Sequence, residues 1–225
     1  LEKDDIKLFK NLRKEKNMGP VAVHTTYLIN IAAGDEILRE KSVKALADEM
    51  ERAGQIGAEF VILHPGSHTK TSRPEGIKNI INSLNALFTE KEYSARLLLE
   101  NTAGTGKTTG SDFQTLLDIR SKTTQKIGFC IDTAHAFEAG IKIKNILNHP
   151  IAENTFVVHI NDSKTAFGSR RDRHANIGKG EIGKENFKEL LNHPGWKDKP
   201  FILETPGGDE NFSEDIKTLK SYVNS

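Results

Sequence analysis

Cysteine is nearly absent: Cys130 stands alone among 225 residues. One thiol excludes an internal disulfide framework and fits a reducing compartment. Also missing is any apolar run near the roughly 18 residues that a membrane span needs, and the start carries no charged-then-apolar export signal. Neither charge is in excess, since 32 Lys and Arg face 31 Asp and Glu. Bulk electrostatics therefore announce neither a nucleic acid nor a membrane, and any such partner must be read from local features. The expectation is a soluble, cytoplasmic monomer with no membrane partner. An initiator methionine is missing too. The chain opens at Leu1 in a charged helical pattern, with Ile6, Phe9 and Leu12 against Lys3, Lys7 and Lys10, as expected of a chain with sequence ahead of it.

What is present is a repeated unit. Short apolar runs end on His24, His64, Glu100, Asp132, His159 and Glu204, at steps of 40, 36, 32, 27 and 45 residues. Helical patterns lie between them: 37–55 closed by Gly57, 74–88 opened by Pro74, and a Ser111–Gln114 capping pair ahead of Phe113. Further helices are expected before the first strand (1–14) and over 141–147, 187–191 and 213–222, and a long loop over 161–183. Strands alternating with helices predict parallel strands joined by right-handed crossovers. In an open sheet only the strand ends near a switch point meet, whereas in a closed barrel all C-terminal ends share one cavity. The predicted fold is α/β, a TIM (β/α)8-type barrel forming one catalytic domain over residues 1–225. About six of its eight units are present, since a full barrel takes about 250 residues.

Six successive strands ending only in His, Asp or Glu point to metal. Buried carboxylates and imidazoles at one mouth would repel or lose their charge unless a cation held them. Imidazole and carboxylate without thiolate suit zinc, manganese or iron better than calcium, and six donors exceed one tetrahedral ion. In Asp132-Thr133-Ala134-His135, two donors three residues apart follow one strand. They either share an ion or form a helix cap with a packed histidine. His68, His149 and His193 read as surface or structural.

The loop after His159 holds Arg170-Arg171-Asp172-Arg173-His174. In an extended chain Asp172 and His174 face one side and Arg173 the other. Between Ser163 and Gly180 five basic residues (Lys164, Arg170, Arg171, Arg173, Lys179) meet one acid, Asp172. Alone this is a solvated loop; beside a metal cluster it is a phosphate-backbone surface. Tyr27 and Leu28 follow the first donor strand and could pack in the core or wedge between bases. Gly104-Thr105-Gly106-Lys107-Thr108-Thr109 imitates the end of a P-loop, but Asn101 stands where its first glycine belongs.

Together, His24 to Asn30, Leu63 to His68, Glu100 to Gly104, Cys130 to Phe137, His159 to Lys164, Phe167 to His174 and Ile202 to Thr205 closely resemble endonuclease IV. These are the zinc-dependent apurinic/apyrimidinic endonucleases of base-excision DNA repair, AP endonuclease family 2. The resemblance implies a TIM barrel with three zinc ions (Zn2+) at its C-terminal face. It places His24, His64 and Glu100 on one ion, with Glu100 bridging to a second held by Asp132, His159 and Glu204. The third would sit on His135, Asp172 and His174, so that Asp132 and His135 serve different ions. Tyr27 and Leu28 match positions that enter DNA at the lesion. The implied substrate is double-stranded DNA with abasic sites, cut 5′ to the lesion to leave a 3′-hydroxyl and a 5′-deoxyribose phosphate. The family's first two strands have no counterpart here, which again predicts missing N-terminal sequence. A metal-dependent sugar isomerase is the chief rival, but gives no use to Asp172-Arg173-His174. A damage-binding module without activity is another.

Overall fold

The computed structural model describes residues 1–125 and 127–223. It divides into two compact units, Leu1–Glu100 with Thr115–Gly128, and Asn101–Gln114 with Phe129–Ser225.

The first unit runs α1 (Lys3–Glu15), β1 (Ala22–His24), α2 (Glu36–Ile56), β2 (Phe60–Leu63), α3 (Arg73–Glu90) and β3 (Arg96–Glu100). The strands pair in parallel, with His24 beside Ile62 and Leu63 beside Leu99. The helices start and stop where local chemistry dictates. Asp35 accepts the Leu38 N–H to open α2, and Gly57 ends it at φ 76°, a left-handed conformation that glycine adopts without strain. Ser72 accepts from the Glu75 N–H to open α3, with Pro74 in its first turn. Leu46, Met50, Ile80, Leu84 and Leu87 are buried on these helices, with Val61 to Leu63 and Leu97 to Leu99 on the strands. Arg13 ties α1 down: it bonds Glu59 at 2.6 Å and donates to the carbonyls of Gly57 and Gly19.

The chain passes through β4 (Gly128–Asp132) into α5 (Thr133–Glu138) and α6 (Ile143–Leu147) of the second unit. There follow β5 (Thr155–His159), β6 (Asp162–Ser163), β7 (His174–Ala175), α7 (Lys184–Asn192), β8 (Phe201–Ile202) and α8 (Gly208–Tyr222). The remaining helix, α4 (Phe113–Lys122), has residues in both units. β4, β5 and β8 are parallel, setting Asp132 beside His159 and His159 beside Ile202. Phe129, Ile131, Val157, Val158, Phe187, Leu190 and Trp196 are buried.

Two expectations change. The 161–183 stretch is not an irregular loop, because β6 and β7 pair antiparallel within it. The stretch after β7 is ordered by Asp162, a buried carboxylate that accepts the N–H groups of Ser163 and Ile182 on Oδ1 and of Gly178 and Gly180 on Oδ2. A Cβ at position 180 would collide with Asp162 and the Ser163 carbonyl, so glycine is required there. Asp215 on α8 does similar work, holding Asn176, the Ile177 N–H and the Thr205 hydroxyl. The last strand is also short, so Glu204 stands two residues beyond its end. Among the described residues no helix is long and apolar enough to cross a membrane.

Candidate metal centre

The predicted donors gather into three groups. In the first unit, the buried Glu100 carboxylate ends β3, and its Oε2 lies 3.0 Å from His24 Nε2 and 3.2 Å from His64 Nε2. His24 Nδ1 is 2.8 Å from the Thr25 carbonyl. A carbonyl only accepts, so Nδ1 carries a proton and Nε2 is the atom turned to Glu100.

In the second unit, Asp132, His159 and Glu204 place donor atoms within 4.8 Å of one another. His159 faces the group through Nδ1, 3.0 Å from Glu204 Oε2. Between the two carboxylates sits Asn161, which is buried. Its Nδ2 donates to Asp132 Oδ2 at 2.6 Å and to Glu204 Oε2 at 3.5 Å, while Oδ1 accepts the Glu204 N–H at 2.7 Å.

The third group holds His135, Asp172 and His174. Asp172 lies 3.2 Å from His135 Nε2 through Oδ2 and 3.6 Å from His174 Nε2 through Oδ1. Each ring turns its other nitrogen to a carbonyl, His135 to Asn101 at 3.0 Å and His174 to Glu204 at 3.2 Å. Each Nε2 is thus the ring atom that faces carboxylates. His174 Nε2 is buried with no hydrogen-bond partner among the described residues. A buried polar atom without a partner is costly, and a cation between it and the neighbouring carboxylates would satisfy it. The donor set therefore fits metal, and its imidazole and carboxylate chemistry fits zinc, manganese or iron.

The other predicted residues are outermost. Tyr27 and Leu28 are 85% and 86% exposed, large apolar groups that avoid the core. The Tyr27 ring lies 6.0 Å from that of His24 and 5.8 Å from that of His64. Arg170, Arg171 and Arg173 lie toward the surface, as does Lys107 on the P-loop-like segment. That segment folds on its own threonines, and Thr105 donates to the Arg170 carbonyl. His149 and His193 accept backbone N–H groups in local turns, which is structural work. Sequence reasoning passed over Asn161, and it passed over Asn101 except as the residue that breaks the P-loop match. Asn101 brackets Asp132 by bonding both its N–H and its carbonyl. An asparagine directly after Glu100, and another two residues after His159, were the available signals.

The chain matches the family described as a xylose isomerase-like TIM barrel over residues 1–222. It is 44% identical over 214 residues to the probable endonuclease 4 of Halothermothrix orenii, covering 90% of this chain and 77% of that one. The probable endonuclease 4 of Halorhodospira halophila is 39% identical over 226 residues, covering 94% and 76%. Among solved structures, endonuclease IV from Thermus thermophilus aligns with a TM-score of 0.85 at 34% identity, over 99% of this chain and 82% of that one. A D-tagatose 3-epimerase-like protein aligns at 0.77 and 23% identity over 97% and 82%, a likeness of fold alone. On this breadth of match the chain belongs to the endonuclease IV family and has its xylose isomerase-like TIM-barrel fold.

Proposed function

We propose that the chain is a zinc-dependent DNA-repair endonuclease. It hydrolyses the phosphodiester 5′ to abasic sites in double-stranded DNA, leaving 3′-hydroxyl and 5′-deoxyribose phosphate ends. The observation that carries this reading is the clustering of His, Asp and Glu donors on a chain similar to probable endonucleases 4. His24, His64 and Glu100 would hold one ion, Asp132, His159 and Glu204 a second, and His135, Asp172 and His174 a third. Bound zinc would supply a nucleophile at neutral pH and neutralise charge on the phosphate.

The chain's own side chains do the rest. The Thr25, Asn101 and Glu204 carbonyls fix the tautomers of His24, His135 and His174, so that each ring presents a lone pair. Asn161 holds Asp132 and Glu204 apart and in register. Arg170, Arg171 and Arg173 offer positive charge to phosphates, setting affinity but not sequence preference. The exposed Tyr27 and Leu28 suit a wedge at the lesion. Turning out an abasic sugar costs less than flipping a paired base, which is a physical source of selectivity.

The test is Glu100→Gln, which keeps shape but removes the charge between His24 and His64. Cleavage of a duplex with an abasic analogue should fall by about 10²-fold or more, the scale of losing a major electrostatic contributor. Near-normal cleavage would remove Glu100 from the site. Turnover of a free sugar by the wild type, with abasic DNA untouched, would move the assignment to an isomerase.

A further inference from the structure

We infer that Glu138 is the positioning residue that docks the 163–173 segment on α5 and so brings Asp172 and His174 to His135. The inference rests on the metal reading above. Glu138 follows His135 by one helical step of three, so both side chains leave the same face of α5. Glu138 is fully buried, and its Oε1 collects three donors from the opposite segment. These are Ser163 Oγ at 2.7 Å, Thr165 Oγ1 at 3.2 Å and the Arg173 N–H at 3.2 Å. The main chain of α5 adds two more anchors. The Glu138 carbonyl accepts the Arg170 N–H at 2.9 Å, and the Phe137 carbonyl accepts that of Gly168 at 3.0 Å.

The place of these bonds matters more than their number. Arg173 lies between Asp172 and His174, and its bonded N–H belongs to the peptide that joins Asp172 to Arg173. Fixing it sets the direction in which both neighbouring side chains leave the backbone, while Arg173 itself stays exposed. Burying a carboxylate for this task is expensive. Glu138 Oε2 has no hydrogen-bond partner among the described residues, and burial pushes the group above the ordinary carboxylate range, although Ser163 and Arg173 oppose the shift. A charged oxygen is the strongest available acceptor for three converging donors. One short helix thus carries a donor of the third group and the clamp for the other two.

The test uses Glu138→Ala and Glu138→Gln in the full chain, with two readouts. In metal-free protein, amide hydrogen exchange at Gly168, Arg170 and Arg173 should accelerate about tenfold or more in the alanine variant, the effect of one lost charged hydrogen bond on local opening. Amides of β4 and β5 should be unchanged. After zinc loading and gel filtration, the alanine variant should hold one ion fewer per chain than wild type. The glutamine variant, which keeps an acceptor oxygen, should recover most of both effects. Unaltered exchange at the three amides would overturn the clamp. A loosened segment with wild-type zinc content would overturn its link to the third group. If wild type itself binds no zinc, the metal reading fails while the exchange data still judge the clamp. Should the alanine variant not fold, Ser163→Ala and Thr165→Val remove the two hydroxyl bonds from the other side and are read at the same amides.

Discussion

Asn161 offers the sharpest test of how the second donor group is held. Asn161→Ala removes a 2.6 Å bond to Asp132 Oδ2 and a 2.7 Å bond from the Glu204 N–H, in a fully buried place. A bond to a charged acceptor contributes about 1.5–3 kcal/mol and a neutral one about 1 kcal/mol, so the metal-free protein should lose about 3–4 kcal/mol. Asn161→Asp has nearly the same shape and keeps the acceptor for Glu204. It nevertheless turns the Asp132 contact from donor–acceptor into two like charges. At 2.6 Å and an effective dielectric of about 20, their repulsion is about 6 kcal/mol before relaxation or proton uptake. The near-isosteric change should therefore be the more damaging one without metal, by on the order of 2 kcal/mol after relaxation. A bound divalent cation should narrow or reverse that order, because it takes up the added charge. Urea unfolding of both variants in EDTA and in zinc measures each difference. If Asn161→Asp proved milder than Asn161→Ala in EDTA, the donation from Asn161 to Asp132 would be wrong.

Two further perturbations test other parts of the chain. Burial pushes the Glu59 carboxyl up, but the Arg13 guanidinium and the Val21 N–H outweigh it and hold the group below its ordinary range. A lowered folded pKa contributes stability that is present above the unfolded value of about 4.3 and lost as pH falls through the folded one. Glu59→Gln should flatten the acid limb of the stability curve there, and an unchanged limb would show that the pairing is idle. Tyr27→Ala with Leu28→Ala removes mostly exposed surface and the ring contacts to His24 and His64, so stability should fall by no more than about 1 kcal/mol. Binding to abasic duplex, measured by fluorescence anisotropy, should weaken more than binding to intact duplex; equal weakening would argue against a lesion wedge.

How much of this could be read beforehand varies with the physics involved. The strands and main helices follow from apolar runs and 3.6-residue periods, and two of their ends from Gly57 and Pro74, whereas the caps Asp35 and Ser72 came only with the structure. The three donor groups of the resemblance also come together within their units, because strand ends carry most of them. The anchors are another matter. Asp162, Asp215 and Glu138 look like ordinary surface acids in the sequence, yet each is buried and accepts hydrogen bonds. Which N–H groups reach a carboxylate depends on the path of a distant segment, and no residue spacing encodes that. The same gap hid β6 and β7 within the long loop and overextended the last strand past Ile202.

At Asp132 and His135 a helix cap and a metal donor do not exclude one another. A carboxylate has two oxygens and about four acceptor sites. Asp132 Oδ1 accepts the His135 N–H at 2.7 Å and opens α5, as a helix cap should. Its Oδ2 turns the other way, 2.6 Å from Asn161 Nδ2 and 3.6 Å from His174 Nε2, with acceptor capacity left to serve a cation. The cap in turn fixes where α5 begins and hence where the His135 ring stands. That ring directs Nε2 to Asp172 at 3.2 Å, while its Nδ1 is held by Asn101. Asp132 lies with His159 and Glu204 in one donor group and with His135 and His174 in another, and His135 also reaches Asp172 of the arginine-rich segment. The helix start is the part they share, and it leaves Asp132 with acceptor sites beyond the one that builds the helix.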